Sequence, residues 1–494
     1  MNGARAETSG ALWLWAAALC AFFYYWTLLS DGKFLAAEPV RYGLTFNSMI
    51  EYLARGRFDV DPDVILHEGF ARDGRTYAYF GPVPALLRLP ILLWPRFRDV
   101  DFTILSCAVG ATLGAMAKLA AVLRAGRAMR ATPWRGRILL FAFAAVVFGG
   151  EQTQFARPSI FQESLYWAGA IAALFVLLVF RWCVDPDGRK PRHLVVMAVV
   201  AGVCLLTRVS TSIGLYAACG GIMLAELVGA IRSGEGPFVS RAFRVIARTI
   251  LLPSLILIMF VAICGFINFQ RWGSPLTFQD YRYYNSAAPD DPVFNVIRDY
   301  GYFNLQRIPF GLSYFFVPIW AVIDSGGHFL FRAFQDRVLY IVELPPATFL
   351  ASDLFLCFTA MLGVAWLARA RSIAIDRFAA CLVVVSLMLP GLLMLMAMAL
   401  TFRYRMEFYP GFDFLALFGL LALADKFAAR PRRWSIVCGL MVGISILSAH
   451  AFLLAYKIGP WGDSERVQRT GWASAYRAFF HDKYPGIGDR FGVR

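Results

Sequence analysis

Of the chain's 494 residues, 59% are hydrophobic and only 16% charged, where a soluble globular chain has about a quarter of its residues charged. That excludes an ordinary soluble enzyme, a disordered chain and a small disulfide-bonded secreted scaffold. The 48 Lys and Arg against 33 Asp and Glu give a net charge of +15, which in a soluble protein would point to nucleic acid or another polyanion.

A helix needs about 20 mostly apolar residues to cross a hydrocarbon core ~30 Å thick. Such runs fall at 11–29, 101–123, 138–150, 163–180, 194–207, 211–231, 249–267, 349–368, 378–401, 408–424 and 434–456. The sequence therefore predicts an all-α integral membrane protein with about eleven transmembrane helices. The runs 138–150 and 194–207 are short, and the alternation of loops requires them. A further run, 311–323, is too short to cross and carries Pro318, so it reads as re-entrant or interfacial.

The loops orient these spans. With a cytoplasmic N-terminus, the cytoplasmic loops are 124–137, 181–193, 232–248, 369–377 and 425–433, which hold twenty Lys and Arg against five acids. That surplus equals the whole chain's, as the positive-inside rule asks, so the charge describes orientation and nucleic acid is not an expected partner. The first run is longer than a signal-peptide core and ends at Thr27–Asp31 without a small-x-small site, so it reads as an anchor. Eight of the nine cysteines lie inside spans, which implies packing rather than disulfides or a metal cluster. The expected organisation is a polytopic membrane domain, 1–456, with external loops 30–100 and 268–348, and a short external tail, 457–494.

What remains outside is electrically balanced. Loop 30–100 carries nine acids and nine Lys and Arg. Within 41–58, Leu44, Met49, Ile50, Leu53 and Phe58 form one apolar stripe, which predicts an interfacial helix. The stretch Tyr77–Pro90, with three prolines, reads as interrupted backbone at the lipid boundary, tolerated only where protein or water covers it. Loop 268–348 interleaves aromatics with Arg, Asn and Gln from Asn268 to Pro309, a composition suited to stacking on sugar rings and binding their hydroxyls.

The segment Ala37-Glu38-Pro39-Val40-Arg41-Tyr42, then Met49, Gly56-Arg57-Phe58 and Pro62, resembles the first external loop of the glycosyltransferase C superfamily. These are polytopic enzymes that use polyprenyl-phosphate sugars, and the order of parts is similar to bacterial members related to protein-mannosyl and aminoarabinose transferases. Two departures stand out. The usual acidic pair is Ala37-Glu38 here, with an extra residue before Arg41-Tyr42, and the tail is shorter than the external domain many relatives append. The resemblance implies a glycosyltransferase C-like fold in the bacterial inner membrane. It implies inverting transfer of a sugar from a polyprenyl-phosphate donor to a lipid or glycan acceptor on the periplasmic side.

Such transfer needs a carboxylate to take the acceptor's proton, cations to hold the leaving phosphate, and a lipid groove. Glu38 is the expected general base, with Asp31, at the exit of the first span, as the alternative. Arg208, isolated between two apolar runs, and Arg403 and Arg405, against the positive-inside trend, are the expected phosphate arms. Internal pairs such as Arg405 with Glu407 or Arg208 with Glu163 are the structural alternative. Glu163, Tyr79, Tyr281 and Tyr283 are candidates for acceptor or sugar contacts. Asp59, Asp61 and Asp63 could surround a divalent cation, although they lack the glycine and distal Glu of a calcium loop; no other cofactor is expected. His67-Glu68 has no partner spacing and receives no role. A polysaccharide polymerase or ligase would place its weight on Arg403, Arg405 and residues 268–310. A lipid or solute transporter or flippase would rest on charges within spans, of which Lys118, Glu226, Asp353 and Asp413 are the few.

Overall fold

The computed structural model describes residues 2–129, 132–185, 188–232, 237–285, 291–318, 332–343, 347–369, 376–458 and, in the tail, 474, 475, 477, 478 and 482. The tail predicted to be external, 457–494, lies almost wholly outside the described residues, as does the second part of the 311–323 run.

Each of the eleven apolar runs forms a helix. They are α1 (Asn2–Leu29), α2 (Thr103–Ala128), α3 (Arg135–Phe148), α4 (Ile160–Val184), α5 (Pro191–Leu205), α6 (Val209–Arg232), α7 (Leu251–Trp272), α8 (Leu354–Arg369), α9 (Arg377–Leu395), α10 (Tyr409–Ala429) and α11 (Pro431–Ile458). Among the described residues, seven helices are long and apolar enough to cross a membrane, and they contain α2, α3, α4, α6, α7, α9 and α11. The apolar part of α1, α5 and α8 are shorter, and α10 carries Asp413, Asp425 and Lys426. The protein is thus an all-helical membrane protein whose eleven segments are unequal in length and polarity.

Local chemistry sets several boundaries. Ser159 caps α4 by accepting from the Phe161 N–H, and Asp376 caps α9 by accepting from Ala379. Gly273, at φ 72°, closes α7 in the left-handed conformation. The predicted span 378–401 ends early because residues after Leu395 leave the helix and reach the short strand Ala399–Leu400. The predicted span 349–368 is broken at Asp353, between the short helix Phe349–Ser352 and α8.

The bundle's interior is made by α10, whose apolar residues Phe414, Leu417, Phe418, Leu420 and Leu423 are all buried; a helix apolar on every side belongs inside. It packs most extensively on α8, as α2 does on α4 and α6 on α9. Close backbone approach fixes the first pair. A Cβ on Gly363 would stand 1.9 Å from the Leu415 carbonyl oxygen, and one on Gly419 1.8 Å from that of Thr359. Small residues at helix interfaces are the general means of such packing in lipid. Gly419→Val is therefore expected to lower the thermal midpoint in detergent by an amount matching about 3 kcal/mol, against no change for Gly443→Ala, where a Cβ meets nothing within 4 Å. Equal midpoints for the two variants would contradict this packing.

In the first long loop, the amphipathic pattern at 41–58 is realised as the helix Thr45–Ala54. Met49, Ile50 and Leu53 of its stripe do not lie on lipid: together with Phe46, which the stripe did not include, they pack against Ala78, Phe80 and Ile160, and Phe58 falls beyond the helix. Strands β1 (Phe70–Arg72) and β2 (Arg75–Tyr77) pair antiparallel across Asp73-Gly74, both at positive φ, the usual dipeptide for a two-residue hairpin. The interrupted stretch becomes the short helix Val83–Leu87 and a 3₁₀ turn, Leu89–Leu93. In the second loop, the helices Pro292–Tyr300, Ile308–Phe316 and Arg332–Val338 lead to β3 (Ile341–Val342), which pairs in parallel with β4 (Ala399–Leu400). Buried Arg307 stitches this layer by donating to the carbonyls of Val338 (2.6 Å), Gly301 (2.9 Å), Tyr302 (2.9 Å) and Met396 (3.2 Å).

Candidate functional site

The site is assembled on the 3₁₀ segment Phe402–Glu407, between β4 and α10. Its side chains diverge. Arg403 and Tyr404 are half-buried, while Arg405 and Glu407 are fully buried.

Arg405 turns into the bundle. It pairs with Asp353 and donates to the Ala347 carbonyl at 2.6 Å and Ser352 Oγ at 2.9 Å; the Tyr409 hydroxyl donates to Asp353 at 3.0 Å. All its contacts are internal, so the geometry gives it an anchoring position rather than an open phosphate arm. Glu163 is likewise enclosed: it is 0% exposed and receives Arg88 at 2.6 Å. Arg88 also donates to Asn47 Oδ1 at 2.7 Å and to the Gly43 carbonyl and Thr103 Oγ1, each at 3.1 Å. This network fastens the first long loop to α2 and α4.

Arg403 faces the other way. Its guanidinium lies 4.4 Å from the centroid of the Phe161 ring, which packs edge-on against Phe80 at 5.4 Å; Phe80 stacks on Tyr79 at 4.4 Å. No hydrogen bond or ion pair holds Arg403 among the described residues. Burial pulls this cation down, yet the acidic groups facing it, Tyr404, Glu343, Tyr79 and Glu68, hold it above its ordinary value. Arg208 comes from the turn before α6. Its Nε donates to Glu407 at 2.5 Å, and with Arg403 it acts electrostatically on the Tyr79 hydroxyl, whose pKa burial pushes up. Arg208 thus pairs with Glu407, and Glu163 with Arg88, rather than with each other.

Three carboxylates act on this group: Glu407, which pairs with Arg208, Glu343, whose Oε1 accepts from the Tyr456 hydroxyl, and Glu68. Glu68 has a distinct setting. It is half-buried at the end of a short 3₁₀ turn, Leu66–Glu68. Its charge is felt by Tyr42, Tyr79 and Arg403, and it makes no hydrogen bond or ion pair among the described residues. Its neighbour His67 is bonded to Arg41, at 2.7 Å, and to the Tyr42 hydroxyl. Tyr281 joins from the second loop, close enough for Tyr79 and Tyr404 to raise its pKa on top of burial. Tyr283 lies apart, with its ring 5.9 Å from the guanidinium of Arg72.

The structure therefore brings Arg208, Arg403, Tyr79 and Tyr281 together and adds Glu68 and Tyr404, which the sequence reading left without roles. Asp31 pairs with Lys457, and Glu38 with Lys33 on an exposed turn. The acids of the possible cation site do not fit a metal, since each is turned to a different task. Asp59 pairs with Arg57, Asp61 caps the helix Pro62–Ile65 by accepting from the Asp63 N–H, and Asp63 is exposed. No group of three or more His, Cys, Asp or Glu converges among the described residues.

Deeper in the bundle, Lys118 bridges Glu151 and Asp413, the latter at 2.9 Å, and lies 4.7 Å from the Tyr409 ring centroid. With Asp353 these residues line a cavity of about 70 Å³ whose other walls are mostly Ala, Val and Leu.

No protein-family model and no curated sequence matches the chain. Among solved structures, the Archaeoglobus fulgidus oligosaccharyltransferase in its apo form aligns with 96% of this chain at 14% identity and a TM-score of 0.46. The same organism's oligosaccharyltransferase AglB, in complex with an inhibitory peptide and a dolichol-phosphate, aligns with 96% at 13% identity and 0.47. Its complex with Zn and sulfate aligns with 95% at 14% identity and 0.48. The chain spans 57–60% of the length of these structures.

Proposed function

We propose that this chain is an inverting glycosyltransferase of a bacterial inner membrane. It takes a sugar from a polyprenyl-phosphate donor and passes it to a lipid or glycan acceptor on the periplasmic side, with its N-terminus cytoplasmic and its C-terminus periplasmic. The observation that carries this reading is one constellation. Glu68, a half-buried carboxylate without an ion-pair partner among the described residues, shares a field with the cations Arg403 and Arg208 beside the Tyr79 and Tyr281 rings.

In this mechanism a carboxylate accepts the proton of the acceptor hydroxyl. The freed oxygen attacks the anomeric carbon from the face opposite the phosphate, the carbon–oxygen bond to phosphate breaks with inversion, and the leaving phosphate carries its charge onto the arginines. Arg403 and Arg208 suit that last role because a guanidinium binds two oxygens at once. Glu38 and Asp31 are the bases the family resemblance favours. Their lysine partners make them weaker candidates than Glu68, which has no ion-pair partner among the described residues and lies within electrostatic reach of Arg403. Comparing envelope glycans and lipids from cells with and without the protein tests the reading: a missing sugar addition supports it, and identical profiles oppose it.

A carrier is the second reading, favoured by the charged cavity around Lys118, since ionisable groups at such depth often mark ion or substrate paths. Lys118→Met separates the two. It would abolish flux in a carrier, while in a transferase it affects folding but leaves the chemistry of the folded fraction intact.

A further inference from the structure

We infer that Glu407 is a positioning residue that presets Arg208 as an end-on fork for a phosphate; this rests on the reading of Arg208 as a phosphate arm. Glu407 is 0% exposed, and a buried carboxylate is costly unless its oxygens are filled. They are filled from one direction. Arg208 Nε donates to Oε1 at 2.5 Å, Ser210 Oγ to the same oxygen at 2.6 Å, and Thr211 Oγ1 to Oε2 at 2.7 Å. All three donors come from the start of α6, so the carboxylate locks the turn before the helix to the segment Phe402–Glu407.

The consequence lies in which guanidinium edge is used. Arginine has five N–H donors in a rigid fork. Glu407 engages only Nε, and no hydrogen bond from Nη1 or Nη2 to the protein is recorded among the described residues. The side chain keeps 21% of its surface exposed. The free end is therefore the one that offers two parallel donors to an oxyanion. Arg403 departs from the same segment four residues before Glu407. A single backbone unit thus sets both cations, one directly and one through a buried carboxylate.

A structural role for Glu407, merely fastening α6, would look the same in a stability assay, so the test must read the anion. The probes are farnesyl phosphate and farnesol, which share a tail and differ in the phosphate, titrated against the full chain in detergent. Glu407→Gln keeps the side chain's shape and one acceptor oxygen, turns the other position into an amide donor, and removes the charge. It is expected to weaken farnesyl phosphate about tenfold, the scale of one charge-assisted hydrogen bond, and to leave farnesol within about twofold. Ser210→Ala, a milder change, is expected to act in the same direction with a smaller loss. Glu407→Gln with Arg208→Ala should bind no more weakly than Arg208→Ala alone, because both remove one device. Equal loss of both ligands, or losses that add in the double variant, overturn the inference. If Arg208→Ala weakens farnesyl phosphate and Glu407→Gln does not, the positioning role falls and the phosphate arm stands. If Arg208→Ala changes nothing, both fall.

Discussion

Glu68→Gln is expected to cut turnover by about 10²- to 10⁴-fold, the usual contribution of a positioned general base, with little change in the apparent affinity for the donor. The substitution keeps the side chain's size and removes its ability to take a proton. Asp31 and Glu38 have lysine partners, and Glu163 is enclosed with Arg88. Glu68 alone among these has no ion-pair partner among the described residues and faces the Arg403 cluster. Asp31→Asn and Glu38→Gln should each stay within about tenfold of the parent in turnover per folded molecule; the Glu38–Lys33 pair is exposed and adds little, while the Asp31–Lys457 pair is largely buried, so its loss is expected in stability rather than in turnover. A large loss in Glu38→Gln with near-normal turnover in Glu68→Gln would return the base to the position the family resemblance favours.

The second large effect is on stability. Arg88→Met leaves Glu163, 0% exposed, without its cation, and removes donors from Gly43, Asn47 and Thr103. Removing one partner of a buried ion pair costs about 3–5 kcal/mol, and unmaking the further hydrogen bonds adds to it. The thermal midpoint in detergent should fall accordingly. Pairing the change with Glu163→Leu should recover part of the loss, because the uncompensated charge is then gone. Arg88 also fastens the loop that bears Glu68 to α2 and α4, so the folded fraction of Arg88→Met should show weakened transfer. A midpoint unchanged by Arg88→Met would contradict the network.

The membrane helices were legible because each rests on a run of one-dimensional hydrophobicity. All eleven runs became helices, although α9 stops at Leu395, where a backbone pairing with Ile341–Val342 competes with the helix. The hairpin across Asp73-Gly74 carried a readable turn signal, but its strands are three residues each, too short to show a period. Ion pairs were the least legible part. Arg88 meets Glu163 across 75 positions, Arg208 meets Glu407 across 199 and Arg405 meets Asp353 across 52; residue type alone cannot choose among such partners. Arg405 and Arg403 illustrate the limit: two residues apart in a 3₁₀ segment, they point to opposite environments. Glu68 was hidden for the converse reason. It follows three acids at Asp59, Asp61 and Asp63 and had no local spacing to distinguish it, and what singles it out is the arrival of Arg403 from the far end of the chain.

Transfer of sugar from a polyprenyl phosphate at Glu68, Arg403 and Arg208 is tested most directly by following release of polyprenyl phosphate by the purified protein in vesicles. The donors are a panel of polyprenyl-phosphate hexoses and pentoses, with envelope extract supplying acceptors. The account predicts release from at least one donor by the parent, and its near loss in both Glu68→Gln and Arg403→Ala. Release that continues undiminished in both variants would contradict it.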